Sequence, residues 1–267
     1  MSERIRKIFE KEGKKLVTFT TGGDPDFNTS LEILKTIINN GIDIIEIGMP
    51  FSDPMADGPT IQESSVRSLS NGTKINDIFE IVMNIRSLNK EIPIILMGYY
   101  NSIFNLGIDN FTAKCAETGV DGLIIVDLQP EEDSELLIKT KDKDIDLIRL
   151  ITPTTDQKRL STILSNASGF LYYVTVTGIT GQNSANIEDL KKSINTIKSS
   201  TKLPIVAGFG IKNKNDVEQI STFTDGVVVG SSIVNIIKDN LNDNNKMINE
   251  IKVFTKDLKE GVKEWIG

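Results

Sequence analysis

An acidic residue closing an apolar run is the first feature that could do chemistry. In Gly41-Ile-Asp-Ile-Ile-Glu-Ile-Gly48, strand alternation puts Ile42, Ile44 and Glu46 on one face and Asp43, Ile45 and Ile47 on the other. If the first face is a barrel interior, Glu46 enters a low-dielectric space. Burial there raises a carboxyl pKa toward the working pH and suits it to proton transfer. The alternative is a structural carboxylate capping an interior layer, although an unpaired buried acid is costly. The next segment, Met49-Pro-Phe-Ser-Asp-Pro-Met-Ala-Asp-Gly-Pro-Thr60, carries Asp53 and Asp57. Asp57 precedes Gly58 and Pro59 at an expected helix start. It reads either as the second member of a carboxylate pair or as an N-cap or turn aspartate.

Three later segments are rich in Gly, Ser and Thr: Thr177-Gly-Ile-Thr-Gly-Gln-Asn-Ser-Ala-Asn186, Gly208-Phe-Gly-Ile211 and Gly230-Ser-Ser-Ile233. Glycine lets the backbone approach a ligand, and free amides at a helix start bind anions. Each segment alone is an ordinary turn. Together they predict a phosphate cradle, and the first is long enough to close as a lid.

The residue inventory narrows the chemistry. There is no histidine and only one cysteine, Cys115. Ser-His-Asp triads, His general bases, His-ligated zinc and thiolate metal sites are excluded. Cys115 lies in a helical pattern and reads as a small buried residue. A Schiff-base lysine belongs at a strand end, yet Lys15 and Lys202 stand at strand starts. Carbon–carbon cleavage would then need a substrate that accepts the electrons itself, such as an indole. Isomerisation or epimerisation by two carboxylates fits equally well. Arg149, within a strand, reads by default as half of an ion pair.

Eight short apolar runs could position these groups: 16–20, 42–47, 92–97, 122–126, 146–151, 169–174, 203–207 and 226–229. Each is followed by room for a helix. Runs apolar on both faces suit a parallel sheet, and eight βα units in 267 residues predict a single-domain (β/α)8 (TIM) barrel of the α/β class. An open doubly wound sheet is the alternative. Additional N-terminal and inserted helices are expected at 2–11, 75–89 and 246–263. No residue-level repeat stands out. The net charge of −7 argues against a nucleic-acid surface. The charged start lacks the apolar core of a signal peptide, and no run is long enough to span a membrane, so the expectation is a cytoplasmic protein.

The segment from Glu46 to Gln62 resembles the signature of the tryptophan synthase α-subunit family. Thr21-Gly-Gly-Asp-Pro25, Met97-Gly-Tyr-Tyr-Asn101, Gly178-Ile-Thr-Gly181, Gly208-Phe-Gly-Ile211 and Gly230-Ser231 follow in family order across nearly the whole chain. The resemblance implies retro-aldol cleavage of indole-3-glycerol phosphate to indole and glyceraldehyde 3-phosphate, in tryptophan biosynthesis, with no metal or organic cofactor. By position, Glu46 matches the acid/base glutamate and Asp57 the aspartate that accepts the indole N–H. Tyr172 matches the substrate-binding tyrosine near the catalytic glutamate, and Phe19, Met97, Ile124, Phe209 and Val228 match the indole pocket. Gly181, Gly210, Gly230 and Ser231 match the phosphate site, and Thr180 the lid threonine. A β subunit in an α2β2 assembly is also implied, with Pro50, Asp53, Tyr99 and Asp127 on loops facing it.

Overall fold

In the computed structural model, residues 1–174, 184–208 and 210–263 are described. The strands are β1 (Lys15–Thr21), β2 (Ile44–Gly48), β3 (Ile94–Gly98), β4 (Gly122–Ile125), β5 (Asp146–Leu147), β6 (Arg149–Ile151), β7 (Leu171–Val174), β8 (Ile205–Gly208) and β9 (Gly226–Val229). All pair in parallel, in the order β5-β4-β3-β2-β1-β9-β8-β7-β6. β5 and β6 are two halves of the single expected strand 146–151. One half pairs with β4 and the other with β7, so this segment closes the ring. The nine strands are therefore the eight-stranded barrel, broken once at Ile148.

Strand alternation sorts the core into two layers. Ile44, Ile95, Ile124, Ile148, Val206 and Val228 pack inside the barrel. Their neighbours Ile45, Ile47, Ile94, Leu96, Leu123, Val227 and Val229 pack outward against the helices. The shell begins with α1 (Glu3–Glu10), α2 (Phe27–Asn39), α3 (Pro59–Ser70), α4 (Ile75–Leu88), α5 (Tyr100–Leu106) and α6 (Ile108–Thr118). It continues with α7 (Ser134–Lys141), α8 (Gln157–Ser165), α9 (Ser184–Ser200), α10 (Lys214–Ser221), α11 (Ser231–Asp239) and α12 (Asn244–Lys263). α1, α4 and α12 are the extra helices the sequence predicts. α1 is amphipathic, and its Ile5, Ile8 and Phe9 join the interior layer, with Phe9 against Phe170 at 5.6 Å between ring centres. It plugs the amino-terminal end of the barrel. No helix among the described residues is long and apolar enough to cross a membrane.

Reciprocal hydrogen bonds fasten three strand pairs at their starts. The Asp43 N–H donates to the Leu16 carbonyl while the Leu16 N–H donates to the Asp43 carboxylate. Asp121 does the same with Ile94, and Asp225 with Ile205. Each aspartate also pairs with a helix cation: Asp43 with Lys259, Asp121 with Arg86, Asp225 with Lys198. Two of them end a short recurring pattern, a left-handed residue, an apolar residue and Asp: Gly41 (φ 86°) to Asp43 and Gly119 (φ 88°) to Asp121. Asp144 (φ 55°) to Asp146 repeats the pattern. The same turn triplet thus leads into three strands, and β2 begins at Ile44, two residues later than the expected run 42–47.

Candidate active site

β2 carries Glu46 inward, opposite Phe19 of β1 and Ile95 of β3. The acid is wholly buried, and neither carboxyl oxygen has a hydrogen-bond partner among the described residues. Desolvation alone pushes its pKa up from 4.5 to about 8. Glu46 therefore holds its proton at neutral pH and releases it at small cost.

Asp57 is brought to the same end of the barrel by a braced loop. The β1 end ties to α3 through Thr21 Oγ1 and Ser64 Oγ, 2.5 Å apart, and Ser68 Oγ donates to the Gly22 carbonyl at 2.7 Å. Arg67 makes a two-pronged pair with buried Asp24 at 2.8 Å. The Thr21–Pro25 motif thus anchors the middle and last turns of α3, the helix that Asp57 precedes. Gly58, not Asp57, is the N-cap of that helix. The Asp57 carboxylate instead accepts from the Tyr99 hydroxyl at 3.1 Å. Burial raises the Asp57 pKa, and the Tyr99 bond opposes the rise.

Between these acids and the solvent lies a cavity of about 550 Å³ at the carboxyl ends of the strands. Phe19, Met97, Tyr172 and Val228 line it with Asp57. Glu46 lies behind that lining and is not among the described residues that form it. Burial, then the charges of Glu46 and Asp57, push the Tyr172 phenol well above its ordinary range. Gly208 makes room for it, since a Cβ there would stand 2.7 Å from the Tyr172 hydroxyl. Ile124 faces the interior layer below, packed with Ile95 and Ile44.

The far wall is backbone. Gly210, Gly230 and Ser231 line it. Gly230 caps α11 without a side chain, and the Ile233 and Val234 amides turn back to its carbonyl. The Ser231 and Ser232 amides have no such backbone acceptor among the described residues, which leaves donors for an anion. Ser232 Oγ donates to the Ile211 carbonyl at 2.7 Å, tying the two glycine segments together. Thr180, Gly181 and Phe209 lie outside the described residues. Ala56, Gly58, Ile61, Val174, Gly208 and Ile211 also line the cavity. All but Val174 fall within the Glu46–Gln62 and Gly208–Ile211 segments, though nothing in the sequence marks them individually as wall residues.

Tyr99, expected on a partner-facing loop, is only 3 % exposed and turned onto Asp57. Arg149 pairs with buried Asp133, the ordinary reading of a charge within a strand. Cys115 is free and buried. Among the described residues no group of three or more metal-ligating side chains comes together.

A closed α/β barrel with a dry inward acid, a second carboxylate at the cavity wall and backbone donors opposite defines a class: barrel enzymes acting on small phosphorylated substrates by carboxylate acid/base chemistry. A sequence model of one family, tryptophan synthase alpha chain, matches residues 5–263. The tryptophan synthase alpha chain of Petrotoga mobilis is 43% identical over 256 residues, covering 96% of this chain and 98% of that protein. The alpha subunit of Legionella pneumophila superposes with a TM-score of 0.91 at 33% identity, 98% of each chain covered. A solved protein of Aquifex aeolicus gives 0.88 at 38% identity, again over 98% of both. The chain belongs to the tryptophan synthase alpha chain family. It is a carbon–carbon lyase that cleaves indole-3-glycerol phosphate to indole and glyceraldehyde 3-phosphate, and it partners the tryptophan synthase beta chain.

Proposed function

We propose that Glu46 and Asp57 carry this cleavage between them. The neutral Glu46 carboxyl gives its proton to indole C3, which leaves the ring cationic. Asp57, ionised, accepts a hydrogen bond from the ring N–H and stabilises that charge. Glu46, now a carboxylate, takes the proton of the hydroxyl next to the breaking bond. The C–C bond opens, its electrons return to the ring, and the side chain leaves as an aldehyde. Glu46 ends as it began, protonated. The observation that supports this cycle is the unpartnered, fully buried Glu46 with a pKa of about 8.

Phe19, Met97, Tyr172 and Val228 would hold the ring, while the amides of Gly210, Gly230 and Ser231 would hold the phosphate. Thr180, Gly181, Phe209 and Ile124 join the reading through the family resemblance. A cytoplasmic setting accords with a single buried free cysteine. The deciding experiment is indole release from indole-3-glycerol phosphate by Glu46→Gln, with and without the beta chain. Turnover should fall by about 100-fold or more, while inorganic phosphate still protects the variant from thermal unfolding. Turnover near the parent's value would remove Glu46 from the chemistry.

A further inference from the structure

A loop carboxylate that must meet a ring N–H needs something to aim it. At the carboxyl end of β3, Tyr99 grips residues 49–58 at three points. Its ring stacks on Phe51 at 5.1 Å, its hydroxyl oxygen accepts from the Ala56 N–H at 2.9 Å, and its proton goes to Asp57 Oδ2 at 3.1 Å. A phenol has one proton to give. With the Ala56 N–H already donating to the oxygen, that proton is directed at the carboxylate. Asp57 Oδ1 has no hydrogen-bond partner among the described residues, and Asp57 lines the cavity.

We propose that Tyr99 is a positioning residue for the lyase reaction: its hydroxyl engages one oxygen of Asp57 and so presents the other to the substrate's ring N–H. The proposal rests on the role given to Asp57 above. A hydrogen bond to the charged form also favours ionisation against the burial that opposes it. Of the other titratable groups, Tyr172 from β7 lines the same cavity as Asp57, and the charges of Asp57 and of Glu46 from β2 both act on its phenol. Asp127 lies beyond Tyr99, where it accepts from the Tyr100 N–H.

The test is Tyr99→Phe in the full chain with its beta chain, crossed with Asp57→Asn. The phenylalanine keeps the ring and its stacking and removes only the hydroxyl. Tyr99→Phe should lower kcat/KM for indole-3-glycerol phosphate by about tenfold, the rate equivalent of a hydrogen bond to a charged group. The acid limb of its pH profile should move to higher pH. In the Asp57→Asn background the same substitution should cost less than about twofold, because coupled sites are non-additive. Equal losses in both backgrounds, or an acid limb that does not move, would overturn the proposal and leave Asp57's role standing. Full activity in Asp57→Asn alone would instead remove the reading on which Tyr99 depends.

Discussion

The burial of Glu46 has an energetic consequence separable from catalysis. Its folded-state pKa of about 8 exceeds the 4.5 of a free glutamate, so the native protein keeps a proton that the unfolded chain releases between those values. Stability therefore falls as pH rises from about 4.5 to about 8, by about 1.4 kcal/mol per unit. Glu46→Gln removes that slope. From pH 5 to 7 the variant should gain about 3 kcal/mol on the parent, read from urea unfolding at each pH. Parallel stability curves would mean that Glu46 is ionised in the native state. Asp57→Asn separates the two readings of that residue: it should lower kcat by about tenfold or more with little change in Tm. A loss of Tm with unchanged turnover would make Asp57 a turn residue. Both acids were legible in the sequence because each stands beside a strong local pattern, an alternating strand and a proline-shaped loop. Tyr99 was not. A tyrosine after a strand can face either way, and only the distance from β3 to the neighbouring loop decides it.

Strands and covering helices were legible because apolar runs alternate with amphipathic ones, and the barrel sorts them into two layers without exception for Ile44, Ile45, Glu46 and Ile47. The strand-start aspartates were not. Three residues are too short a repeat to notice, and the bonds that give them meaning join strands about 20 to 30 residues apart. Asp121 is the most heavily used. It accepts from the Ile94 amide, the Ser2 hydroxyl, Arg4 and Arg86, and is 1 % exposed. Asp121→Asn keeps the shape but leaves two cations around a neutral group. Breaking a buried charge pair in this way costs about 3–5 kcal/mol, so the urea midpoint should fall sharply. A shift below about 0.5 kcal/mol would make the clamp redundant with strand pairing.

The two ends of the barrel carry different obligations. At the amino-terminal end, α1 seals the floor with Ile5, Ile8 and Phe9, and the Ser2 amide and hydroxyl are taken up by Asp146 and Asp121. At the carboxyl end, strand-end glycines give way to the rings that line the cavity. Stability and catalysis should therefore divide by end rather than by depth of burial, since Ile5 and Glu46 are equally inaccessible. Ile5→Ala should cost about 2–5 kcal/mol and leave kcat/KM unchanged well below its Tm. Gly208→Ala acts in the opposite sense. Its added methyl would meet the Tyr172 hydroxyl at 2.7 Å, so this cavity-lining ring must move. Overpacking of this kind costs about 1–3 kcal/mol. The greater effect should be kinetic, a fall in kcat with phosphate protection preserved. The pair of measurements is decisive together: if Ile5→Ala slows cleavage at a temperature where it is fully folded, the floor and the mouth are not independent, and the barrel transmits strain along its interior layer.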